Sequence, residues 1–150
     1  MSKAFTSEET PEPAPVLRAP PRLAPGEVRY VTPEGHAALV AELAGAQGER
    51  ARFLEGTLAA LTVLGPEAAP PGKAGFGTWV TVEGEDGARR AWRLVGPDEA
   101  DVRRGLLSVD SPLGRALLGR EAGEAVEVER PRGRLELSVI AVGREPPSLE

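Results

Sequence analysis

The sequence predicts an α+β protein: a short antiparallel helical hairpin followed by an antiparallel β-sheet domain with one short helix. Three observations carry this expectation. Apolar residues recur at spacings of three and four between Pro33 and Leu64, whereas from Trp79 onward they alternate with a period of two. Between these regions lies a run of Pro and Gly, and near residue 110 a short apolar run turns sharply into a capped helix.

Residues 1–28 hold Pro11, Pro13, Pro15, Pro20, Pro21 and Pro25, broken by Glu8, Glu9 and Glu12, with no periodic apolar face. Such a segment reads as a disordered or polyproline-like leader. No PxxP pattern with flanking bases stands out, so a solvated tail is expected in preference to a docking ligand.

Residues 29–66 are expected to form the hairpin. Thr32-Pro33-Glu34 supplies a cap, a proline at the first helical position and an acid in the first turn. Leu39 and Leu43 share a face, Gly45 to Gly48 form the tip, and Phe53, Leu54, Leu58, Leu61 and Leu64 continue at helical spacing to Gly65-Pro66. Leu39 and Leu43 are expected to pack on Leu54, Leu58 and Leu61, leaving Glu42, Glu49, Arg50, Arg52 and Glu55 in water. At ~15 residues each, the arms are about 22 Å long.

Residues 67–75, Glu-Ala-Ala-Pro-Pro-Gly-Lys-Ala-Gly, read as a linker between two domains. The second domain is assigned to residues 76–143 and a tail to 144–150. Its strands are expected at Trp79 to Glu83, Ala91 to Val95, Leu106 to Val109, Ala125 to Glu129 and Leu135 to Val142, with Glu85-Asp86-Gly87 as a hairpin turn. Trp79 and Trp92 are expected at facing strand positions. In Asp110-Ser111-Pro112 an acid and a hydroxyl stand ready to cap a helix that Gly119 ends.

Composition narrows the chemistry. The 150 residues contain 41% hydrophobic side chains, enough for a modest core, but only six aromatics, too few for an aromatic-lined small-molecule pocket. Zero cysteines remove thiol and disulfide chemistry, and the lone His36 cannot build a multi-histidine site. No catalytic, cofactor-binding or metal-binding residue is assigned. No run reaches the ~18 apolar residues of a membrane span, and a cytoplasmic location without membrane contact is expected. The formal charge of −5, spread evenly, disfavours a direct grip on nucleic acid and points to a protein partner. Arg130, Arg132 and Arg134 are read as a charged hairpin rather than a nucleic-acid edge.

Four motifs occur in order: Phe76-Gly-Thr-Trp-Val80, Val95-Gly-Pro-Asp-Glu99, the run Ser108-Val-Asp-Ser-Pro112 continuing to Arg115-Ala-Leu-Leu118, and Gly123-Glu-Ala-Val-Glu-Val128. Together they resemble the C-terminal domain of the bacterial Gre transcript-cleavage factors, and the resemblance covers roughly residues 29–143. It implies an FKBP-like fold for residues 76–143 and, as partner, bacterial RNA polymerase, bound at the rim of its secondary channel. The polymerase-binding residues it implies are Asp110 and Pro112, with Ser111 and Leu113 beside them. In the family a long coiled coil carries acids at its tip that help hold magnesium. Here the arms are roughly half that length and the tip lacks convincing acids. The resemblance therefore implies an elongation regulator, not itself an enzyme, that binds polymerase as a monomer, with any nucleic-acid contact indirect and without stimulating cleavage. A residual cleavage cofactor and an FKBP-like prolyl isomerase are the alternatives.

Overall fold

The computed structural model describes residues 23–148. The leader expected over residues 1–28 lies outside the described residues as far as residue 22. Strand β1 (Arg29–Val31) leads through the Thr32 cap into helix α1 (Pro33–Ala44), then α2 (Gly48–Ala60) and β2 (Leu61–Val63). Thr32 Oγ1 accepts the Gly35 N–H at 3.0 Å, so the predicted cap is in place. The helices have 12 and 13 residues, hence about 18 and 20 Å. Arg50 of α2 pairs with Glu42 of α1 across the tip.

The end of this unit differs from the expectation. Helical spacing suggests that α2 runs on to Leu64, but Leu61–Val63 is a strand paired in parallel with β1, Arg29 opposite Leu61 and Val31 opposite Val63. Leu64 N–H then donates to Val31 C=O at 2.9 Å. Leu58, Leu61 and Leu64 fit a helix locally. The tertiary partner β1, together with the β-branched Thr62 and Val63, decides the conformation.

The second unit is a five-stranded sheet in the order β5-β4-β3-β7-β6. Its strands are β3 (Trp79–Gly84), β4 (Arg89–Val95), β5 (Leu106–Ser108), β6 (Ala125–Arg130) and β7 (Gly133–Gly143), with helix α3 (Pro112–Leu117) between β5 and β6. An antiparallel sheet is expected, but the edge strand β5 runs parallel to β4, with Arg93 opposite Leu106 and Val95 opposite Ser108. The chain reverses twice between them. It leaves β4 through Gly96–Ala100, and a 3-10 turn at Val102–Arg104, ended by Gly105 at φ 76°, brings it back to the start of β5. Asp101 and Leu106 exchange two backbone hydrogen bonds that close this loop.

Val80, Val82, Trp92, Leu94, Leu107, Leu117, Val126, Leu137 and Val139 form the core on one sheet face. The tryptophans do not face one another. Trp79 lies opposite Arg93 and Trp92 opposite Val80, which places the two rings on opposite faces because side chains alternate along a strand. Trp92 joins the core, capped by the Arg90 guanidinium 4.0 Å from its ring centroid.

Residues 67–75, read as a linker, are laid against the sheet unit. Ala69 and Ala74 are buried, and Ala74 belongs to the core cluster. Its N–H donates to Arg120 C=O at 2.8 Å, its C=O accepts from Gly119 at 2.7 Å, and Arg144 donates to Ala69 C=O. Pro and Gly keep this stretch from an α-helix or a full strand, and it forms instead a 3-10 turn at Pro66–Ala68 and a single bridge between Lys73 and Glu121. Among the described residues, no helix is long and apolar enough to cross a membrane.

Candidate functional site

The turn after β5 is fixed by a small set of hydrogen bonds centred on Ser108. Its Oγ accepts the Asp110 N–H at 3.0 Å, and its C=O accepts the Ser111 N–H at 3.1 Å and the Ser111 hydroxyl at 2.7 Å. Ser111 Oγ accepts in turn from Gly114 N–H at 3.0 Å, so Ser111, not Asp110, caps α3. Pro112 occupies the first helical position. Gly114 is required because the helix passes directly over the strand end: a Cβ there would run into the Ser108 carbonyl oxygen.

Of the four residues singled out in the sequence, Asp110 and Pro112 are exposed. Ser111 and Leu113 are half-buried, Ser111 through its cap and Leu113 by packing on the core. The turn brings all four together. Among the described residues the Asp110 carboxylate accepts no hydrogen bond, although its backbone is held in place.

Beside this turn lies a second one, Gly96–Glu99, to which the sequence reading assigned no role. Asp98 takes the Arg29 guanidinium in a two-pronged pair at 2.6 and 3.1 Å. These bonds, chiefly, push the Arg29 pKa above its ordinary value, against the opposing effect of burial. Glu99 accepts from Gly96 N–H at 2.9 Å, from Thr32 N–H at 2.8 Å and from the Thr32 hydroxyl. Arg93 adds an ion pair with Glu34 at 3.1 Å and donates to Gly77 C=O. The Val95-Gly-Pro-Asp-Glu99 motif thus clamps the base of the helical unit to the sheet. Partners 67 to 69 residues apart left no local signal by which sequence reasoning could find the clamp.

Where the clamp and the turn meet, Leu23, Val28, Tyr30, Phe76, Pro97 and Val109 line a groove of about 240 Å³ together with two acids, Glu27 and Asp110. The Tyr30 and Phe76 rings are 5.8 Å apart and tilted at 53°. On the other side of the clamp a cavity of about 400 Å³ separates α1 from the sheet face bearing Trp79. Its acids are all engaged: Glu34 with Arg93 and Glu99 with Thr32 within the lining, Glu42 with Arg50 and Asp98 with Arg29 outside it.

The remaining charged candidates are placed without forming a site. Arg134 pairs with Glu127 and Glu129 on the β6–β7 hairpin, and Arg130 donates to Gly133 C=O. This neutralisation agrees with a charged hairpin. Glu42 and Glu49 flank the arm tip, Glu42 tied to Arg50.

A short two-helix unit clamped to a five-stranded sheet defines the class: a small α+β scaffold with one exposed acid, Asp110, at the turn after β5. The family model described as "Transcription elongation factor, GreA/GreB, C-term" matches residues 69–144. The chain belongs to the GreA/GreB family. It is 44% identical over 97 residues to transcription elongation factor GreB of Pseudomonas aeruginosa, covering 65% of this chain and 58% of that protein. To transcription elongation factor GreA of Nitratidesulfovibrio vulgaris it is 39% identical over 97 residues, covering 64% and 61%. The chain thus spans less than two thirds of the length of these relatives. A solved GreA/GreB from Nitrosomonas europaea superposes with a TM-score of 0.45 at 25% identity, covering 78% of this chain and 98% of that one.

Proposed function

We propose that this chain regulates transcription elongation by binding bacterial RNA polymerase at the rim of its secondary channel, through Asp110, Ser111, Pro112 and Leu113, without stimulating transcript cleavage. One observation carries the reading: the Asp110 carboxylate is exposed and without a partner among the described residues, on a backbone fixed by the Ser108 hydrogen bonds. A preorganised free carboxylate accepts charge-assisted bonds from a partner's arginine with little ordering cost. Membership of the GreA/GreB family, whose relatives are named transcription elongation factors, supports polymerase as the partner. In this reading residues 29–66 form the arm, residues 76–143 an FKBP-like docking domain, and the protein works as a cytoplasmic monomer.

The arm supports binding without cleavage. Helices of 12 and 13 residues reach only about 20 Å, and the tip glutamate Glu42 is occupied by Arg50. The protein then acts on polymerase and is not itself an enzyme.

Retention on core polymerase tests the contact: Asp110→Asn is expected to weaken binding about tenfold or more, the worth of one charged hydrogen bond. No retention of the unaltered chain would defeat the reading. Addition to backtracked elongation complexes tests the second half, with no acceleration of 3′ RNA cleavage expected. Rapid cleavage lost on changing Glu42 or Glu49 would assign the chain to the cleavage cofactors instead.

A further inference from the structure

The groove beside Asp110 is also where the described chain begins, and we propose that it binds the chain's own leader, with the Pro20-Pro21 step laid on Tyr30 and Phe76 and Arg18 or Arg22 paired to Asp110. Leu23 lines the groove, so Arg22 starts one peptide unit, about 3.8 Å between Cα atoms, from the lining. At about 3.1 Å per residue, a polyproline-like path from Leu23 to Pro20 would span about 9 Å.

The chemistry of groove and segment matches. Two tilted aromatic rings with a neighbouring acid suit a proline-rich strand, whose rings fill the space between aromatics while the acid takes a flanking base. Residues 13–22, Pro-Ala-Pro-Val-Leu-Arg-Ala-Pro-Pro-Arg, contain four prolines and two arginines and no acid. Proline restricts the unbound chain, which lowers the entropy lost on binding. Arg29, also on the groove, makes its side-chain hydrogen bonds to Asp98 and, among the described residues, none to Asp110, although the Asp110 charge reaches it and adds to the rise in its pKa. Tyr30 is 38% and Val28 50% exposed, which leaves apolar surface for the leader to cover. Tethering at Leu23 gives the segment an effective concentration of order mM, so even a weak contact is well populated.

The regulatory consequence rests on the reading of Asp110 as a polymerase contact: a docked leader covers that acid and must leave before polymerase binds. The docking itself does not depend on that reading. Because the chain has no cysteine, an Ala14→Cys substitution gives a single attachment point for a nitroxide on the full-length protein. The amide signals of Tyr30, Phe76, Val109 and Asp110 are expected to broaden several-fold more in this chain than in the same labelled chain carrying R18E and R22E. The broadening is expected to persist when labelled chain is diluted tenfold into unlabelled chain. Equal broadening in both chains, which tethering alone produces, overturns the proposal, and so does loss on dilution, which signals a second copy as the occupant. The charge-reversed positions lie outside the described residues, and Asp110→Asn, at an exposed carboxylate, provides an independent variant that is expected to reduce the broadening as well.

Polymerase affinity then separates the two ideas. R18E with R22E is expected to tighten binding several-fold, whereas unchanged affinity overturns the regulatory role. If polymerase binds neither chain but the leader signals behave as expected, the polymerase reading fails and the docking stands.

Discussion

β4 and β5 run parallel and end side by side, Val95 opposite Ser108, so the turns at Gly96–Glu99 and Val109–Ser111 leave the sheet as neighbours. Both carry acids, and the acids differ in what they meet. Asp98 and Glu99 are half-buried and fully engaged, by Arg29 on one side and by Thr32 and Gly96 on the other. Asp110 is exposed, and its own backbone, not its carboxylate, is what the surrounding bonds hold. If Asp110 is the polymerase contact proposed above, stability and recognition are kept in separate turns. A carboxylate that joins distant segments cannot be offered to a partner without loosening the fold, whereas one standing in water at a fixed place can.

That contrast is most exposed to failure at Gly114. A methyl group there meets the Ser108 carbonyl oxygen, a backbone atom that cannot swing aside as a side chain can. Gly114→Ala is expected to cost about 3 kcal/mol, the upper end for overpacking, and to lower the melting temperature by about 6–12 °C. Polymerase binding should fall with it, because the bonds that aim Asp110 are the ones displaced. Thermal unfolding at native-like stability with unchanged binding would show that the turn need not be rigid.

Glu99→Ala comes next. It leaves the Thr32 and Gly96 N–H groups without their acceptor in a half-buried setting, and a loss of about 2 kcal/mol is expected by denaturant titration. Glu99→Gln keeps an acceptor oxygen and is expected to lose less. Asp110→Asn, in the neighbouring turn, is expected to change stability by less than about 0.5 kcal/mol, as surface substitutions do, while still weakening polymerase binding. If Asp110→Asn destabilised the fold as strongly as Glu99→Ala, the division of labour between the two turns would be lost.

The two turns were not equally legible in the sequence. Around Asp110 every determinant is local: a β-prone run, a cap hydroxyl, a proline at the first helical position and a glycine after the helix, all within twelve residues of Ser108. Even so, pattern alone left Asp110 and Ser111 equal as caps, and only the geometry assigns the role to Ser111. The clamp was unreadable because Arg29 and Thr32 find Asp98 and Glu99 across 67 to 69 residues. A partner 32 residues away likewise hid β2, whose helical spacing is overridden by β1, whereas the parallel course of β5 is set by a local loop that reverses twice, which strand alternation does not encode. Period-two alternation located the strands of the sheet domain but not their offset, so Trp79 and Trp92 fell on opposite faces.

A third polar group completes the comparison. Thr57 of α2 is 2% exposed, and its hydroxyl has no hydrogen-bond partner among the described residues. It is neither engaged like Glu99 nor hydrated like Asp110. Such a group carries its desolvation cost without return, about 1–3 kcal/mol when a polar atom is buried unmatched. Valine keeps the branched shape at Cβ and has a similar helix propensity, so Thr57→Val removes the hydroxyl while leaving the packing nearly unchanged. The variant is expected to be more stable by about 1 kcal/mol, seen as a rise of about 2–4 °C in melting temperature, with polymerase binding unaltered. A fall in stability instead would mean that the hydroxyl is satisfied in solution, and that this part of the arm, like the clamp beneath it, puts its polar groups to use within the fold.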